Sequence, residues 1–293
     1  VAGMGTLIFV YTAGYFAEKP RELRKFYTYL LFFLAAMLGT VFSGNLLLMY
    51  IWWEMTGIAS FFLIGYLHDD KEARNGARMA LITTVTTGMC LLAGILLVGL
   101  AAGTFNIAEL AERAHLHAAD PAWQAGFILI LIGAFGKSAQ FPFHYWLPNA
   151  MSAPTPVSAY LHSATMVKLG VFLVARIFPI FRPLETWAPI LILIGFFTFL
   201  LGATFAFLSH NLKGILAFST VSQVSYILLG ITLFGPVGTI GGIVHLVHQG
   251  IMKITMFFCA GNVDKVLHVK KISQLKGVGR RMPLTMGAFS VAA

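Results

Sequence analysis

Long apolar runs dominate the chain and are cut at intervals by short charged connections. A helical run of roughly 18 or more apolar residues matches a hydrocarbon thickness of about 30 Å. Spanning segments are predicted at 1–16, 27–41, 46–66, 79–101, 124–141, 157–178, 188–208, 214–233 and 239–260, with a further one starting near 284. Nothing in the pattern resembles a soluble domain. The expectation is an all-α integral membrane protein, a bundle of about ten transmembrane helices forming one domain over residues 1–293. Val1 opens inside an apolar stretch and "MPLTMGAFSVAA" closes in another, so this domain is expected to be truncated at both ends.

Composition agrees: 58% of residues are hydrophobic and 11% charged, against about 25% charged in soluble domains. The charges follow the membrane. The connections 17–26, 67–78 and 261–283 hold four, three and six Lys/Arg, and with Lys213 they put 14 basic residues on one side. Three, Arg113, Arg176 and Arg182, fall on the other. The positive-inside rule places the basic side of a multi-pass protein in the cytoplasm. The opposite connection, 102–123, carries Glu109, Glu112 and Asp120 and a predicted short surface helix at "NIAELAERA". The net charge of +9 gathers into no aromatic-interleaved patch, so a nucleic acid partner is not expected. Cys90 and Cys259 sit singly in apolar segments and read as small core residues.

Four ionisable groups remain inside apolar segments: Lys137, Lys168, Lys253 and Glu54. A Lys or Asp at a helix centre costs about 2.5–3.5 kcal/mol on the insertion scale, so four cost on the order of 10–14 kcal/mol. That rivals the net stability of a whole fold. Such groups face protein or water. Each either snorkels and cements helix packing, or titrates, a lysine beside a movable carboxylate being a switchable proton carrier. Histidines join them. His162 precedes Lys168 by six residues, and "HLVHQGIMK" puts His245, Gln249 and Lys253 on one helix face with His248 close by. No third ligand stands at metal spacing, so no metal site is expected. These histidines are either a relay with trapped water or satisfied interior side chains.

"FGKSAQFPFHYWLPNAMSAPTP", 135–156, sets Pro142, Pro148, Pro154 and Pro156 after Lys137. No helix runs straight through four prolines, and a discontinuous helix is predicted near 135–156. One reading is a short loop with proline as punctuation. The other is a break that lines a wet cavity, where freed backbone groups hold charge and Lys137 sits at the negative end of a half-helix. The sequence leaves the role of His144, within the break, undecided.

At these residues the chain resembles a known family. "GKSAQFPFHYWLPNAMSAPTPVSAYLHSATMVKLGVFLVAR" (136–176), "NLKGILAFSTVSQVSYILLG" (211–230), "HLVHQGIMKITMFFCAGNV" (245–263) and "WWEMTGIASFFLIGY" (52–66) resemble the antiporter-like membrane subunits shared by respiratory complex I, membrane-bound hydrogenases and Mrp-type multisubunit sodium/proton antiporters. The resemblance implies a fragment of a fourteen-helix fold of two inverted five-helix repeats, each with one discontinuous helix and a polar axis along the midplane. It implies that Glu54 pairs with Lys137, that His162 and Lys168 form a relay, and that Lys253 with His245 and His248 carries the axis onward. Arg74 and Arg78 match basic positions near the Glu/Lys pair.

The second broken helix, with its terminal charged residue, is expected to begin near 284 and to continue past residue 293. The leading expectation is a proton-conducting subunit of an Mrp-type Na+ or K+/proton antiporter, a transporter and not an enzyme, working among other membrane subunits in the lipid bilayer. The runner-up is a proton-pumping subunit of complex I or a related hydrogenase. A third is a scaffold or inorganic-carbon uptake partner with altered coupling. No nucleotide, flavin or iron–sulfur motif is present, so no cofactor is expected.

Overall fold

The structure, a computed structural model, describes residues 1–17, 20–233, 235–269 and 271–293, with only the backbone of Pro20 and Arg21. Lys19, Lys270 and the Arg21 side chain, counted above in the basic connections, lie outside the described residues. The main elements are helices α1 (Ala2–Tyr15), α2 (Pro20–Phe42), α3 (Leu46–Ile64), α4 (Lys71–Ala102), α5 (Ile107–His117) and α6 (Pro121–Lys137). After a broken stretch come α7 (Trp146–Asn149), α8 (Thr155–Ser158), α9 (Met166–Phe181), α10 (Trp187–Leu208), α11 (Leu212–Thr232), α12 (Pro236–Leu267), α13 (Val278–Arg281) and α14 (Pro283–Ala292). The α5 helix is the surface helix predicted at "NIAELAERA".

The termini are written in the sequence. The Asn45 side chain accepts from the amides of Leu47 and Leu48, Asp70 from Glu72, Asn106 from Ala108 and Asp120 from Ala122, satisfying amides that have no partner within their helix. Gly103 ends α4 in the left-handed conformation at φ 70°, which a residue without Cβ adopts freely.

Among the described residues seven helices are long and apolar enough to cross a membrane, the α8–α9 stretch Thr155–Phe181 counting as one. The other predicted segments, near 1–16, 124–141 and 284, are the shorter α1, α6 and α14. The 17 residues of α6 rise only about 25 Å, because the helix stops at Lys137. Conversely, α4 and α12 each run to 32 residues, continuing past the hydrocarbon into charged connections.

A repeat that is hard to see in the sequence is plain in the structure. Asn45, capping the 19-residue α3, bridges to Asn106 just beyond the 32-residue α4. Asn211, at the start of the 21-residue α11, bridges to Lys271 just beyond the 32-residue α12. The α3 helix runs toward a basic connection, whereas α11 starts from one. The two helix pairs therefore share one pattern but stand in opposite senses relative to the basic connections. Close packing relies on small residues: a Cβ on Gly94 of α4 would lie 2.6 Å from the carbonyl oxygen of Gly126 on α6, so the backbones touch where side chains would hold them apart.

Candidate functional site

The three intramembrane lysines are buried, Lys137 at 1% exposure and Lys168 and Lys253 at 5%. Each directs its ammonium to a partner on a different helix. Lys137 Nζ donates to the Trp53 carbonyl of α3 at 3.0 Å, Lys168 Nζ to the Leu246 carbonyl of α12 at 2.7 Å, and Lys253 Nζ to the Ser219 hydroxyl of α11. None snorkels. Bare backbone makes room for two of them: a Cβ on Gly57 would sit 3.3 Å from Lys137 Nζ, and one on Gly250 2.9 Å from Lys168 Nζ.

Glu54 stands one residue after the carbonyl that holds Lys137, and the two charges act on each other. Its half-buried carboxyl packs on Gly88 of α4, and Oε1 is enclosed with no hydrogen bond among the described residues. The ammonium, however, is seated on backbone beside the carboxylate, not on it.

The broken stretch puts Lys137 at the last residue of α6, where the helix dipole favours a cation. Past it Ala139 turns at φ 50°, and one-turn helices fill the way to Ser152. The freed backbone is answered by side chains. Trp146 Nε1 donates to the Gly136 carbonyl at 2.9 Å and the Phe141 amide to Thr198 Oγ1 at 3.0 Å. Ser138 Oγ donates to the Val167 carbonyl and accepts from the Val171 amide. Gln140 receives the Ser225 hydroxyl of α11 at 2.9 Å. A buried polar seam thus runs from the break to the second unit, and neither Ser138 nor Gln140 is picked out by sequence reasoning.

A second interruption was not predicted. Within 155–181 the chain loosens to a π-helix at Ala159–Ala164 and kinks at Thr165 (φ −137°, ψ −86°). This separates His162 from Lys168, and π-turns widen the helix at functional sites. His162 is fully buried beside Trp146, ring centroids 5.9 Å apart, and neither ring nitrogen has a protein partner. The Ser158 hydroxyl, four residues before it, is likewise buried and has no hydrogen bond among the described residues. Such groups are the sites that ordered water serves. Above them, on the basic side, opens a cavity of about 550 Å³ between the 67–78 connection, Met151–Pro154 and the ends of α11 and α12. Its walls include Asp70, Glu72 and the Lys213–Asp264 ion pair at 3.7 Å.

The other residues divide. His245 Nε2 meets Gln223 Oε1 of α11 at 2.6 Å, and the ring stands edge-on to Tyr226. Gln249, between Leu246 and Lys253, is buried with both amide atoms unpartnered. His248 differs: it is exposed on α12, because three residues from His245 is not the face that Gln249 and Lys253 share. His144 is half-buried, its Nδ1 unpartnered, stacked on Phe141 and Phe205, outside the lysine line. Arg74 and Arg78 are exposed in the first turns of α4, about 21 and 15 Å of helix rise before Gly88, against which the Glu54 carboxyl packs. They are not neighbours of the Glu54/Lys137 pair. Ser219 and Gln223, four apart in an apolar helix, carry the sequence signal that α11 faces this line.

The fold and this arrangement define a multi-pass membrane protein with three lysines buried among its apolar helices. Residues 43–293 match the family described as "NADH:quinone oxidoreductase/Mrp antiporter, TM", and the chain belongs to that family. It is 41% identical over 303 residues to an Na(+)/H(+) antiporter subunit of Bacillus subtilis (strain 168), covering 98% of this chain and 38% of that protein. It resembles a chain of the Mrp complex from Dietzia sp. DQ12-45-1b, with a TM-score of 0.77 and 37% identity over 82% of this chain and 26% of that one. A chain of the membrane-bound sulfane sulfur reductase, an archaeal respiratory membrane complex, superposes with a TM-score of 0.85 at 27% identity, covering 92% of this chain and 56% of that one. The chain spans 29–38% of the length of the curated relatives it matches first.

Proposed function

We propose that residues 1–293 form a proton-conducting transmembrane domain of a subunit of a multisubunit Na+ or K+/proton antiporter. Protons pass along Glu54, Lys137, His162, Lys168 and Lys253, with water on the unpartnered atoms of His162 and Gln249. The observation that carries this reading is the seating of three enclosed lysines, each on a carbonyl or hydroxyl of another helix. A lysine so placed holds a proton without a fixed counter-ion, and can pass it on when the neighbouring charge changes. The 550 Å³ cavity and the unpartnered groups of Ser158 and His162 supply access from the basic side. The protein works in a bacterial or archaeal cytoplasmic membrane among other subunits of its complex, with its basic connections in the cytoplasm.

The likeness to a respiratory complex supports a second reading, in which the same line pumps protons when partner subunits transfer electrons. Inverted vesicles carrying the full complex separate the two. Antiport predicts that Na+ or K+ dissipates an imposed proton gradient with no electron donor present; pumping only with a donor selects the second reading. Under either, Glu54→Gln or Lys137→Ala abolishes transport while the complex still assembles. Wild-type rates in both variants would refute a proton path here.

A further inference from the structure

The ends of α2, α3 and α4 that meet the basic connections enclose a cavity of about 360 Å³, apart from the proposed proton line. Its walls are Tyr29, Phe61, Phe62 and Tyr66, and its rim carries Lys25, Arg74 and Arg78. Among the described residues none of those lining it is acidic, and Glu22, whose carbonyl accepts from the Tyr66 hydroxyl at 2.7 Å, lies close by. Tyr29 and Phe62 stack with centroids 5.3 Å apart and planes at 17°, so the apolar wall is continuous between α2 and α3. Phe62 is 43% exposed, and Ile58, one turn deeper on the same face of α3, is 41% exposed. The cavity therefore opens onto the apolar outer surface of the bundle.

The rim is built to hold a multidentate anion. Arg74 uses Nη1 on the His68 and Asp69 carbonyls at 2.6 and 3.0 Å, which orients a guanidinium that has five donors. Arg78 lies one turn along the same face of α4 and makes no hydrogen bond or ion pair with the described residues. Lys25 lies 6.0 Å from the Tyr29 ring centroid, near the mouth. A cationic rim over an aromatic wall, beside the charged connection and continuous with exposed apolar side chains, matches an amphipathic anion.

We propose that this cavity binds the phosphodiester headgroup of an anionic phospholipid. Arg74, Arg78 and Lys25 hold the phosphate, the aromatic walls enclose the glycerol, and the first acyl carbons lie along Phe62 and Ile58. A free phosphate would use the rim and leave the apolar strip unused. The site is independent of the transport reading. It gives Arg74 and Arg78 a task that their distance from Glu54 leaves open.

The test is native mass spectrometry of the full-length protein in its complex, titrated with phosphatidylglycerol and with phosphatidylcholine of the same acyl chains. Phosphatidylglycerol should be retained preferentially. The double variant Arg74→Gln/Arg78→Gln should lower its apparent affinity about 25-fold, roughly five-fold per charge, while Lys276→Gln, an exposed basic residue elsewhere, should leave it unchanged. Arg78→Lys, which keeps the charge, should retain most of the binding and shows that a loss is not misfolding. Equal retention of the two lipids, a double variant that binds like the wild type, or displacement of the lipid by millimolar inorganic phosphate would each overturn the proposal.

Discussion

Gly250→Ala puts the lysine line to a sharp test, because the substitution favours the helix and harms the seat. In the interior of α12 alanine is preferred over glycine by about 0.8–1.0 kcal/mol. The added Cβ would lie 2.9 Å from Lys168 Nζ and 2.5 Å from Met4 Cε. The methionine end is flexible and gives way. The ammonium has to retreat by roughly 0.5–1 Å to reach ordinary contact, and its 2.7 Å hydrogen bond to the Leu246 carbonyl then passes the 3.2 Å limit of good geometry. A hydrogen bond to a charged group contributes about 1.5–3 kcal/mol, so a lysine that needs this seat should lose ten-fold or more in its transfer step. Cation-dependent dissipation of a proton gradient by vesicles bearing the full complex measures the rate, and the thermal midpoint in detergent measures the fold. The expected result is slow transport with an unchanged or raised midpoint. Gly241→Ala, on the same helix with nothing within 4 Å of the new Cβ, is the control. Identical rates in the two variants would refute the claim that the seat matters.

Other outcomes follow from the same geometry. Ser219→Ala removes the hydroxyl that receives Lys253 and leaves a buried ammonium short of a partner, about 1–3 kcal/mol; transport should fall, with Ser219→Thr restoring it, as the vesicle assay reads. Trp146→Phe keeps an aromatic side chain but removes the indole N–H and orphans the Gly136 carbonyl; a midpoint in detergent that did not fall would show that this donor is not holding the end of α6. Asn45→Ala strips two amides of their cap and should cost about 1 kcal/mol in the same thermal assay, with the transport rate of the surviving fold unchanged.

Much of this protein is legible along the chain. Hydropathy locates the spans because lipid leaves a backbone no option but internal hydrogen bonding, and the basic connections orient them. Glu54, Lys137, Lys168 and Lys253 announce themselves by the cost of sinking charge, and the four prolines announce the break. What the sequence could not say is where each head group goes. That Lys137 rests on the Trp53 carbonyl, Lys168 on Leu246 and Lys253 on Ser219 depends on which helices face each other, a contact between residues 34 to 84 positions apart. The recurring pattern of a shorter helix, a 32-residue helix and a bridge between their ends is hidden for a related reason, since it lies in lengths and pairings and not in residues. The π-segment around His162 carries no proline or glycine in Ala159–Ala164 to mark it. His248, alike in sequence to His245, ends outside because a helix has faces and a string of letters does not. One-dimensional pattern fixed which groups are costly to bury; only tertiary packing decided which neighbour relieves each of them.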